Sequence, residues 1–108
     1  MISLVVKWTE YRQTVVKVEN SVAIPDLDIT AGLSAHTVFM RLWRNESARR
    51  QVEMAQRYAF GEVYVYDGRG KCLAAFSDHN TGEYTHVASL TEEINKARKK
   101  TDGKALID

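Results

Sequence analysis

Apolar and polar residues alternate along the first part of the chain. Ile2, Leu4, Val6 and Trp8 alternate with Ser3, Val5, Lys7 and Thr9, and Thr14, Val16 and Val18 alternate with Val15, Lys17 and Glu19. A period of two in a segment rich in β-branched residues predicts two strands within residues 2–19. Glu10-Tyr11-Arg12-Gln13 supplies the turn of a hairpin. Residues 20–36 lose the pattern at Asn20-Ser21, Pro25-Asp26 and Gly32. Ile24, Leu27 and Ile29 suit an extended edge segment there.

Residues 37–44 satisfy two periods at once. Val38, Phe39, Leu42 and Trp43 fall at helical spacing. Val38, Met40 and Leu42 also alternate against Phe39, Arg41 and Trp43. The strand reading is favoured, because a helix-start signal at Asn45 implies a break before the next segment. From there Ala48, Val52, Ala55 and Ala59 recur at i, i+4, i+7 and i+11. Asn45 or Ser47 can cap this segment, Glu46 complements the positive end of its dipole, and Gly61 stops it. This predicts an amphipathic helix over 46–60, with a small-residue face lying close to a sheet. Residues 62–77 read as a hairpin, in which Glu62–Tyr66 and Cys72–Phe76 are joined through Asp67-Gly68-Arg69-Gly70. A polar loop follows, then a short extended piece at 86–90. A last helix is expected over 92–100, capped by Thr91, acidic at its start and basic at its end. Residues 101–108 are expected to form a loose tail.

The element order is therefore β-β-β-α-β-β-α. The expected fold class is α+β, a mainly antiparallel sheet of four to five strands with two helices packed on one face. Neither an internal repeat nor a low-complexity tract is evident. A length of 108 residues fits one domain, and an apolar fraction of 44% supports one core. Cys72 is the single cysteine, so no intramolecular disulfide can form. The chain has no signal-peptide pattern and no apolar run near the ~20 residues that span a bilayer, so a cytoplasmic protein without membrane contact is expected. The glycosylation-like Asn45-Glu46-Ser47 is read as chance in that setting.

Formal charge is only +1, so a role with acidic partners must come from local clustering. Two clusters exist. Arg41, Arg44, Arg49, Arg50 and Arg57 face only Glu46 and Glu53 in the same stretch. Lys96, Arg98, Lys99, Lys100 and Lys104 are opposed only by Asp102. Aligned, they would form a patch suited to a phosphate backbone. Tyr64 and Tyr66 share one strand face, and both are exposed there if Val63 and Val65 point to the core. Exposed tyrosines can anchor an interface or stack bases. Trp8, Tyr11, Trp43, Tyr58 and Tyr84 complete an amphipathic aromatic set.

Recognisable catalytic or metal chemistry is missing from the pattern. His36, His79 and His86 are badly spaced for a metal, even with Asp78 and Glu83 near the last two. Cys72 is expected as a small core-facing thiol. Gly68-Arg69-Gly70-Lys71 lacks the spacing of a phosphate loop and is followed by a strand, so it reads as a hairpin turn, with Arg69 and Lys71 as weak candidates for an acidic contact. No cofactor is expected.

These features favour a small non-enzymatic interaction or regulatory protein that binds another macromolecule through an exposed sheet face or edge. The size would suit an accessory protein of a phage or plasmid. A protein partner, of acidic character if the arginines meet it, is expected, and free sheet edges also suit a homodimer. A nucleic-acid-binding module is the alternative, and a small enzyme the least favoured. The candidate contact residues are Arg49, Arg50, Arg57, Tyr64, Tyr66, Arg69, Lys71, Lys96, Lys99 and Lys100.

Overall fold

A computed structural model describes residues 2–11, 15–24, 27–58, 60–78 and 87–107, with backbone alone at 10, 11, 15, 16 and 101–107. The elements are β1 (Ile2–Tyr11), β2 (Val15–Ile24), α1 (Ala35–Arg44), α2 (Glu46–Gln56), β3 (Glu62–Tyr66), β4 (Cys72–Ser77) and α3 (Leu90–Ile107). The strands form one antiparallel sheet in the order β2-β1-β3-β4. The fold is therefore α+β, as the alternation and helical spacing predict, with four strands and three helices among the described residues.

The register explains which residues face the core. Leu4 lies opposite Val22 on β2 and Val65 on β3, and Val6 lies opposite Val63. Val63 and Val65 lie opposite Phe76 and Ala74 on β4. All of these strand residues except the half-buried Val22 are buried in one cluster with the helix residues Val38, Phe39, Leu42, Ala48, Val52, Ala55, Leu90, Ile94 and Ala97. Ile29, from the extended segment after β2, joins the same cluster. The Phe39 ring meets Phe76 edge-on, with centroids 5.1 Å apart. The helices pack over β1, β3 and β4, so β2 forms the thinly covered margin of the inner face.

The segment 37–44 is helix, not strand. Ser34 accepts a hydrogen bond from the Thr37 amide at 3.2 Å and starts α1. Helical spacing then buries Val38, Phe39, Leu42 and Trp43 together, whereas a strand would have turned Phe39 and Trp43 away from Val38 and Leu42. The expected break at Asn45 is present. Its extended backbone (φ −91°, ψ 121°) ends α1, and its side chain accepts from the Ala48 amide at 3.0 Å to begin α2.

The second helix ends at Gln56 rather than at residue 60. Beyond it the chain turns sharply to bring Gly61 over the last turn of α2, so close that a Cβ there would lie 1.8 Å from the Ala55 carbonyl oxygen. Ala59 lies outside the described residues. The last helix begins one residue before Thr91. Ser89 caps it, accepting from the Glu92 amide at 3.2 Å. Asp78, at the end of β4, accepts from the Thr91 amide at 2.8 Å and from the Ser89 hydroxyl at 2.9 Å. Of the extended piece expected at 86–90, residue 86 lies outside the described residues, Ala88 makes a parallel bridge with Phe76, and Leu90 already belongs to α3. Among the described residues, no helix is long and apolar enough to cross a membrane.

Candidate interaction surfaces

The two basic clusters meet at one side chain. Trp43, in the last turn of α1, is only 5% exposed. The guanidinium carbons of Arg49 on α2 and Arg98 on α3 each lie 5.9 Å from the Trp43 ring centre, within cation–π range. Arg98 belongs to the sequence cluster, but the role of Trp43 as its meeting point with Arg49 is a tertiary feature. No local pattern marks it.

The remaining cations do not converge in the same way. The turn angle of a helix places Arg50 and Arg57 on the outward face of α2 together with Glu46 and Glu53, two charges of each sign. Arg50 Nη2 pairs with Glu46 Oε1 at 2.6 Å across one turn. On α3, Lys96 pairs with Glu92 at 3.2 Å in the same fashion. Lys99 and Lys100 are exposed, but neither projects from the flank that carries Arg98. The Lys104 side chain lies outside the description. Arg41 is held by the Asp28 carboxylate at 3.1 Å. Arg41, Arg44, Leu27, Asp28 and Asn45 line a shallow open cavity of about 260 Å³.

The outer face of the sheet differs from expectation at Tyr64. Val63 and Val65 do face the core, so Tyr64 and Tyr66 do share the opposite face, with ring centroids 6.5 Å apart. Yet Tyr64 is only 1% exposed, and Tyr66 is half-buried. Ala75, opposite Tyr64 on β4, is buried as well, and the Lys7 ammonium from β1 lies 5.2 Å from the Tyr64 ring centre. A twin-tyrosine stacking platform is therefore absent. Cys72 also departs from expectation. It is half-buried at the start of β4, beside a register shift, and its thiol approaches the Ala74 carbonyl at 3.4 Å.

The hairpin tip is the turn its sequence predicts. Gly70 takes φ +81°, and Asp67 Oδ1 accepts from the amides of Arg69 and Lys71 at 2.9 Å each. The hydrogen bond from Lys71, reinforced by that from Arg69 and by their charges, holds the Asp67 carboxyl below its ordinary pKa. Arg69 and Lys71 themselves stand exposed at this tip.

A histidine–carboxylate pair joins two helices. His36 Nδ1 lies 2.7 Å from Glu93 Oε2, linking the first turn of α1 to α3. A separation of 57 residues hides this pair from any local reading. His79, Glu83, Tyr84 and His86 lie outside the described residues. Among the described residues, no group of three or more His, Cys, Asp or Glu is placed to share a metal ion.

The open margin of the sheet is β2. It pairs with β1 along its whole length, and no described strand pairs with its other side. Lys17, Glu19, Asn20, Ser21 and Ala23 are exposed along it, and Val18 and Val22 are half-buried on the core side. The opposite margin differs: the Ser77 amide donates to Ala88 at 2.9 Å and the Ala88 amide to Ala75 at 3.1 Å, so β4 is partly covered. Comparisons with known protein families, characterised proteins and solved structures find no match for the chain.

Proposed function

We propose that this chain is a non-enzymatic interaction module that binds a protein partner along the β2 edge of its sheet. The observation that carries this reading is the ten-residue β2, paired among the described residues on one side only, with the main helix packing falling on β1, β3 and β4. Such an edge presents a row of main-chain donors and acceptors, and an added strand satisfies them while neighbouring side chains set specificity. The sheet face is a poorer surface, because Tyr64 is buried in it. A photo-crosslinking residue placed at Ser21 on the edge, and separately at Arg50 on the helical side, tests the reading in nuclease-treated lysate of the source cells. Capture of a specific protein at position 21 and not at 50 is expected. Capture only at 50, or at neither position, would contradict it.

One observation favours a second reading, binding to nucleic acid: Arg49 and Arg98 come together at Trp43. Guanidinium groups held against a ring retain outward N–H donors for phosphate. This surface is small, because Arg50 and Lys96 are engaged by glutamates. Binding of single- or double-stranded DNA or RNA at low salt that weakens steeply with added salt, and that is lost in R49A/R98A, supports it. Failure to bind any of them at low salt removes it.

A further inference from the structure

We infer that the strand seated on the β2 edge is the β2 strand of a second copy of this chain, antiparallel to the first and centred on Val18. This rests on the reading of β2 as the docking edge and names its occupant. Charge complementarity on the outer face points to that occupant. Across the sheet, Glu62 lies opposite Lys7, and Lys7 lies opposite Glu19. Lys7 Nζ is 3.9 Å from Glu19 Oε2. The row thus alternates in sign from β3 to β1 to β2 and ends at the edge on a negative charge. A further strand continues the alternation only if it places a cation opposite Glu19.

The chain itself carries that cation two residues away. When two β2 strands run antiparallel about a two-fold axis at Val18, Lys17 of each copy faces Glu19 of the other. Side chains directly opposite in an antiparallel pair are close neighbours, and opposite charges there are favourable. Both charges lie on the same face, because residues 17 and 19 share the parity of the strand. The pairing overlaps residues 15–21 of each copy. It brings the two half-buried Val18 side chains together on the core face, beside Trp8, on whose ring Tyr58 stacks. The interface is isologous, so it closes as a dimer and leaves only residues 22–24 of the β2 edge unpaired.

The register makes a test that general stickiness would not pass. K17E places Glu opposite Glu at both contacts, and E19K places Lys opposite Lys. A mixture of the two variants restores opposite charges at both contacts. Light scattering with size exclusion is expected to give twice 12.3 kDa for the unchanged chain, 12.3 kDa for each variant alone, and twice 12.3 kDa for the mixture. Circular dichroism of each variant, and the recovery of the mixture, separate lost pairing from lost folding. A mass of 12.3 kDa for the unchanged chain at every concentration, a dimer that survives either single reversal, or two folded monomeric variants that fail to associate would each overturn the inference. If the dimer is absent but Ser21 still captures a different protein, the docking edge stands and only its occupant is wrong.

Discussion

Gly61 has no room for a side chain. A Cβ on it would meet the Ala55 carbonyl oxygen at 1.8 Å and its carbon at 2.6 Å, and both belong to backbone that the sheet and α2 hold in place. Relief would have to come from moving the end of α2 away from β3, disturbing the buried Ala55 and Val63. Gly61→Ala is expected to destabilise by about 2–3 kcal/mol, the upper part of the range for overpacked sites. Gly32→Ala offers a contrast, since its cost comes from φ +89° in open space and not from a clash. Urea unfolding of both variants checks this: the expected result is the larger loss at residue 61, and equal losses would mean that the close approach relaxes freely. At this scale the sequence was partly legible. The sequence offers Gly61 as the stop of a helix over 46–60, but α2 already ends at Gln56, and Gly61 is instead the point where helix and strand touch. The strand period put Tyr64 and Tyr66 on one face correctly. It did not settle exposure, which depends on what lies against that face from β1 and β4.

Each helix start depends on one or two polar side chains, and these are where elements could be read best or misread. α3 begins under Ser89 and Asp78, whose carboxylate receives the Thr91 amide as well as the Ser89 and Thr91 hydroxyls. The arrangement ties the end of β4 to the helix and places a negative charge at its positive end. Asp78→Ala is expected to cost about 1–2 kcal/mol, the upper part of the range for a lost N-cap. Asp78→Asn keeps an acceptor and should recover part of that loss. Denaturant midpoints of the two variants decide it, and an alanine variant as stable as the unchanged chain would show that Ser89 suffices. α1 was misread for a physical reason. Residues 37–44 fit a period of two as well as one of 3.6, and the deciding feature was the Ser34–Thr37 cap just outside the segment. The break at Asn45 follows from its helix-start signal alone; that it serves two helices, ending one with its backbone and starting the next with its side chain, is seen only in the fold.

At the scale of the whole molecule, the sheet order divides the strands into protected and open ones. Residues 3–7 of β1 lie between β2 and β3, so their amides find partners on both sides, while residues 8–11 pair with β2 alone. β2 has one neighbour, so every second amide faces away from the sheet. That topology could not be derived from the element order, because pairing β1 with β3 joins segments separated by two helices. Hydrogen exchange reads the division directly, since exchange reports local opening and the absence of a partner. In dilute solution the amides of residues 3–7 of β1 should be uniformly slow, while those of β2 split into alternating slow and fast classes. Uniform protection along β2 in dilute solution would mean that its outer side is already covered within one chain, leaving no edge to donate. Raising the concentration then separates the occupants. A second copy slows the fast class over residues 15–21 in step with dimer formation and leaves Val22 and Ala23 unchanged. A foreign strand is absent from the purified protein, so without self-association the fast class stays fast at every concentration. The pattern of protection, read residue by residue, thus measures the register that the charge row Glu62, Lys7, Glu19 implies.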